Sequence, residues 1–78
     1  MLEIKEGIKT DKIVFGVKQT LKNSKSLNKV IVSSDCREEI IQLLNKNKLD
    51  VEVLDVGKDD IAIALEMDFK SEVFGLRK

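Results

Sequence analysis

Histidine, tryptophan and tyrosine are absent from this sequence, and cysteine occurs once, at Cys36. Without histidine, a Ser/His or Cys/His catalytic pair is excluded, and so is a zinc site of the common ligand sets. A lone cysteine makes no internal disulfide. Three phenylalanines are the only aromatics, so the core has to be aliphatic, drawn from Ile, Val and Leu. No apolar run approaches the roughly 20 residues of a membrane-crossing helix. The opening Met1-Leu2-Glu3-Ile4-Lys5-Glu6 carries charge where a secretory signal would be apolar. These absences predict one cytoplasmic domain over residues 1–78, with no membrane association, no metal, no cofactor and no enzymatic residue set.

Hydrophobic residues make up 42% of the 78, enough for a globule near the lower size limit for an unassisted core. Net charge is zero, but the charges are unevenly spread. Residues 1–34 hold seven lysines against three acids, a surplus of four, and residues 35–78 hold seven Lys/Arg against eleven acids. From Lys12 through Lys29 there are five lysines and no carboxylate. A surface that binds a phosphate backbone requires this kind of local asymmetry; a solvated lysine face has the same composition.

Along the chain, Leu2, Ile4 and Ile8 suggest a short N-terminal helix weakened by Gly7. Ile13-Val14-Phe15 reads as a buried strand ended by Gly16, and a helix is expected from Lys18 to Lys25. Lys29-Val30-Ile31-Val32-Ser33 is the clearest strand. Asp35-x-x-Glu38 resembles a capping box, which predicts a helix start at Asp35 followed by Cys36, Ile40, Ile41, Leu43 and Leu44, and closed by Asn45, Asn47 and Lys48. Strands are expected near 50–54 and over 69–76. Asp59 to Leu65 fits either a strand of alternating Ile and Ala or a helix opened by two acids. With helix there, strands and helices alternate, as in a sheet with helices on its faces.

Gly16 and the basic segment beyond it form the most informative constellation. A glycine at a strand-to-helix junction allows close backbone approach to a ligand, and the helix start beyond it is electropositive. Lys18 and Lys22 sit four residues apart on one helical face, and Gln19 offers both a donor and an acceptor to a base edge. Cys36 at a helix start is a setting that lowers thiol pKa, although a half-buried small hydrophobe accounts for it without chemistry. The acid pairs Glu38-Glu39 and Asp59-Asp60 lack metal-ligand spacing and suit helix N-termini. Phe15 and Phe74 read as core, with Phe69 divided between core and surface.

Lys9-Thr10-Asp11-Lys12, the strand, then Gly16-Val17-Lys18-Gln19-Thr20-Leu21-Lys22 resemble the opening of the L-thirty-e/L-seven-Ae ribosomal protein superfamily, with its K-T-G-K, apolar strand and G-x-x-x-T-x-K. Val30 to Cys36 is similar to that family's second strand and its step into a helix. Asp60 to Phe69 is similar to its E-L-G-x-A-C-G-K-P-F, and Val73-Phe74-Gly75-Leu76 to its last strand. Asp11, Ala62 and Glu66 stand where the family has glycine.

The resemblance implies a three-layer α/β/α sandwich with a small mixed four-stranded sheet, and a helix at 59–66. It also implies a non-enzymatic protein that binds kink-turn RNA, as a ribosomal or other ribonucleoprotein component. By position, Gly16 is the close-approach glycine, with Val17 beside it. Lys18 and Gln19 meet sheared G·A pairs, Lys22 holds the backbone, and Met67 and Phe69 face an extruded nucleotide. A protein–protein module that uses the acidic second half is the alternative reading of the same scaffold.

Overall fold

The computed structural model describes residues 2–78. Helix α1 spans Leu2–Lys9, strand β1 Ile13–Phe15, α2 Val17–Lys22, β2 Leu27–Val32, α3 Glu38–Lys46, β3 Val51–Val53, α4 Lys58–Ala64 and β4 Val73–Arg77. The sheet order is β1-β4-β2-β3. Strand β4 runs antiparallel to both β1 and β2, with Val14 opposite Gly75 and Ile31 opposite Phe74, while β2 and β3 are parallel. The mixed four-stranded sheet expected from the sequence is the sheet observed.

Alternation along the strands divides the core in two. Val30, Val32 and Val73 turn to one face and meet Val17 and Leu21 of α2 and Ile40 and Leu44 of α3. Ile31 and Phe74 turn to the other, against Ile4 of α1 and Ile61 and Leu65 of the α4 region. Helices therefore cover both faces, giving three layers. Phe74 is fully buried, which stabilises the fold by about 1.5–3 kcal/mol relative to exposure.

Gly75 faces the α2 layer because nothing larger fits. A Cβ there would lie 2.8 Å from Val14 Cγ2 and 3.2 Å from both Leu27 Cδ1 and Thr20 Oγ1. Gly7, a weak point for helix propensity, does not interrupt α1. It lets the helix press onto the sheet, with Leu76 Cδ2 only 3.1 Å from where its Cβ would stand. Packing outweighs the roughly 1 kcal/mol propensity cost.

Several boundaries differ from the sequence reading. The second helix stops at Lys22 rather than Lys25, and Ser24–Ser26 form a 3-10 turn. Asn23 turns its side-chain amide back to the Gln19 carbonyl at 2.8 Å, the local competition by which Asn ends helices. Asp35 does not open α3, which starts at Glu38 with no side-chain cap. Its Oδ1 accepts instead from the Lys58 amide at 3.2 Å, so it caps α4 across the fold. The last strand begins at Val73, leaving Phe69 in the preceding loop. The ambiguous 59–65 segment is helical over α4.

Two of the positions where the family pattern has glycine carry positive φ, Asp11 at 57° and Glu66 at 55°. That backbone conformation is one glycine adopts freely and other residues at a cost. At Asp11 the turn is closed by Lys12 N donating to the Gly7 carbonyl at 2.9 Å. At Glu66 it is closed by Met67 N donating to the Ala62 carbonyl at 2.9 Å.

Candidate nucleic-acid interface

Gly16 has φ 86° and ψ 158° and caps α2 without any side-chain bond. Its amide donates to the Val73 carbonyl at 2.9 Å, tying the junction to the start of β4, and its carbonyl accepts the Thr20 amide at 3.1 Å. A Cβ at this position would meet nothing within 4 Å. The backbone angle demands glycine, and the space beside it is open.

Helix α2 divides cleanly. Val17 and Leu21 pack into the core and Thr20 is fully buried, while Lys18, Gln19 and Lys22 are exposed together on the outer side. Spacings of three and four residues put these three on one face. Among the described residues, no carboxylate lies within ion-pairing distance of Lys18 or Lys22. Their charge is therefore available to an external anion. Lys29, the last of the basic run, is committed elsewhere. It pairs with Glu52 at 2.6 Å and Glu3 at 3.1 Å, which raises its pKa and lowers that of Glu52.

The second part of the expected site lies in the α4–β4 loop. Phe69 is 46% exposed, and its ring packs edge-on against Phe15, with centroids 5.0 Å apart. Phe15 immediately precedes Gly16, so this contact brings the loop to the β1–α2 junction. Phe15 in turn stacks edge-on against Phe74 at 5.9 Å. Phe69 thus has one side in the core and one side outside. Met67 is half-buried against the α4 side of the core and lines a shallow pocket of about 220 Å³ with Ala62, Ile63 and Phe69. Ile63, 77% exposed, is an addition that the sequence does not suggest; it falls out of phase with Ile61 and Leu65, which face inward. Val17 turns its side chain into the core. The two carboxylates of the loop, Glu66 and Asp68, are exposed.

Cys36 is half-buried, as a small hydrophobe would be. Burial pushes its thiol up to about 11, with Glu72 adding to the rise; the helix-start setting does not activate it. Asp35 is held below its ordinary value, first by the Ser33 hydroxyl beside it and then by the Lys58 amide. The Ser33 hydroxyl lies near enough to bias the carboxylate without closing a regular hydrogen bond.

A charged basin that sequence reasoning missed lies next to this face. Asp35 and Arg37 of the β2–α3 turn, Lys58 at the start of α4, and Lys70 and Glu72 of the α4–β4 loop line it. No local pattern marks them, because they meet only through the topology.

No protein-family model matches the chain, and no curated protein matches it in sequence. Solved structures share its fold. A protein of unknown function from Bacillus halodurans C superposes with a TM-score of 0.78 at 18% identity, covering 97% of this chain and 81% of that one. The Giardia lamblia 15.5kD RNA binding protein superposes with a TM-score of 0.71 at 19% identity, covering 97% and 68% respectively. At these identities the likeness is one of fold.

Proposed function

We propose that this chain is a non-enzymatic RNA-binding protein of the L-thirty-e/L-seven-Ae type that recognises kink-turn RNA. The observation that carries the reading is the outer face of α2, where Lys18, Gln19 and Lys22 stand together, uncompensated by acids, directly after the open, positive-φ Gly16. The RNA-binding neighbour of the same fold supports it, as do the positive φ angles at Asp11 and Glu66, where the family motif has glycine. In this reading Gly16 admits the RNA backbone, Lys18 and Gln19 hydrogen-bond the edges of the sheared G·A pairs, and Lys22 holds a phosphate. Met67 and the outer side of Phe69 receive an unpaired base, the usual way proteins read RNA sequence and shape. The protein works in the cytoplasm as a ribosomal or other ribonucleoprotein component.

A gel-shift titration tests this, with a kink-turn RNA set against the same RNA whose tandem G·A pairs are made Watson–Crick. Tight binding to the first alone is expected; equal binding to both removes kink-turn recognition. The second reading, a protein–protein module using the acidic half, is favoured by one observation. Val53 lies 54% exposed on the edge strand β3, beside Glu52. It predicts indifference to changes on α2 and sensitivity across 52–60.

A further inference from the structure

Strand β3 is an outer edge of the sheet, with β2 on one side only. The Asp50 carbonyl accepts the Val30 amide at 2.7 Å, and the Leu54 amide donates to the Val32 carbonyl at 2.9 Å. Backbone groups alternate in direction along a strand, so the N–H and C=O of Val51 and Val53 point away from β2. A row of this kind is a ready template for another strand. No proline, lysine or bulge lies in β3 to blunt it. Its protection is its length of three residues and its acids.

The side chains along this edge give it a definite character. Val51 packs against the core cluster of α3, and Val53, two residues on and on the same face, is exposed. Glu52 turns to the other face, where Lys29 Nζ holds its Oε1 at 2.6 Å and reaches Glu3 of α1 at 3.1 Å. This clip fixes the edge to β2 and α1. From Leu49 to Gly57 the chain has three acids, Asp50, Glu52 and Asp55, and no Lys or Arg. Asp50 and Asp55 are exposed, and among the described residues no cation lies within ion-pairing distance of either.

We propose that the β3 edge is a docking site for an extended, basic segment of a partner protein, which joins the four-stranded sheet as an added strand. Main-chain bonds to Val51 and Val53 supply the affinity. Apolar side chains of the segment cover Val53 on the α3 face, and its lysines or arginines meet Asp50 and Glu52 on the other. Charge selects against a second copy of this chain. An antiparallel pair of β3 strands about a two-fold axis sets Glu52 opposite Glu52 and gathers both sets of aspartates. Charge also distinguishes the two edges of the sheet, since β1 begins directly after Lys12, which disfavours the same segment. The β3 edge lies across the sheet from β1, which leads into Gly16 and α2. The site therefore rests on none of the RNA contacts, and both surfaces can be filled at once.

The probe is a short synthetic peptide that alternates lysine and valine, capped at both ends and titrated without RNA into the nitrogen-labelled full chain. Amide shifts are expected to centre on Val51 to Leu54. Two changes remove the backbone bonds by independent routes. Val53→Pro deletes an outward N–H and keeps the Leu54–Val32 bond, a substitution edge strands accommodate. The same peptide methylated on its backbone nitrogens leaves the protein untouched, and so decides the matter if Val53→Pro melts early. Each is expected to weaken binding about tenfold. Asp50→Asn with Asp55→Asn should weaken it about threefold, an effect that fades with salt, and a peptide alternating glutamate and valine should not bind. Equal binding of the methylated and unmethylated peptides overturns strand addition. Equal binding of the glutamate peptide overturns the basic partner, and shifts centred away from β3, or none at about 1 mM lysine peptide, overturn the site. Shifts at Val51 to Leu54 that grow with protein concentration alone make a second copy the occupant, and overturn the proposal as well. With no RNA present, failure of the kink-turn reading touches none of these outcomes.

Discussion

Lys18 and Lys22 stand on a short helix whose outer face carries no acid, whereas Arg37, Lys58 and Lys70 each lie within 4 Å of a carboxylate. The two regions are neighbours at one end of the sheet, and each presents cations to solvent. They differ in origin. The α2 face is built by one helix with a three- and four-residue repeat, seated on the sheet through Thr20 and Gly75. The basin is assembled from two loops and the start of α4, with the sheltered Glu72 pairing Arg37 and Lys58. A continuous cationic face leaves its charge available to an external anion, whereas a counterbalanced one ties its cations to carboxylates of the same chain. Net charge, which is zero, describes neither.

The largest effect belongs to the α2 face. Lys18→Ala combined with Gln19→Ala should weaken kink-turn binding about a hundredfold or more, at about 1–3 kcal/mol per contact, with the melting temperature unchanged. Equal losses on straight duplex would mean that α2 supplies only charge, erasing its difference from the basin.

Cys36 reports on the basin side. With its thiol pushed up to about 11, alkylation by iodoacetamide at pH 8 should run about a hundredfold slower than for a free thiol, and Glu72→Gln should recover part of that rate. A rate like that of free cysteine would show the thiol to be neither sheltered nor under the influence of Glu72.

Gly75→Ala separates the regions by stability. The added methyl meets Val14, Leu27 and Thr20, costing about 1–3 kcal/mol through overpacking, read as a lower urea midpoint. Damage should fall on α2 and RNA preference, with Cys36 reactivity little changed.

Asp35→Asn acts on the opposite side, at the cap of α4. Because the folded-state pKa lies below the usual 3.8, the carboxylate contributes stability above that value, and loses it as pH falls through the lowered one. Urea midpoints of wild type and variant should differ at pH 7 and converge as pH falls through that lowered value. A difference that persists in acid would mean that shape, not charge, caps the helix. Smallest of all is Thr20→Val. Its hydroxyl is fully buried without a hydrogen-bond partner among the described residues, so the change should be neutral within about 1 kcal/mol, by the same denaturation measurement.

Much of the α2 face is legible in the sequence because its signals are local. Gly16 at a strand end, and polar residues at 18, 19 and 22 against apolar ones at 17 and 21, are visible within seven consecutive residues. The strands are legible too, with Val30-Ile31-Val32 as the clearest. Asp35 misleads because a capping box and a tertiary cap share the same residue type, and only the fold brings Asp35 to Lys58. Phe69 suits the head of the last strand by pattern. Its ring instead anchors a loop, held by an edge-on contact with Phe15 that no spacing announces. The basin is invisible in the sequence, since Arg37, Lys58, Lys70 and Glu72 have no common periodicity.

The most direct measurement is an amide chemical-shift titration of the nitrogen-labelled protein with a kink-turn RNA. The largest perturbations are expected at Gly16 to Lys22 and Met67 to Lys70. Perturbations centred on residues 50–60, with α2 silent, would contradict it and make the acidic half the working surface.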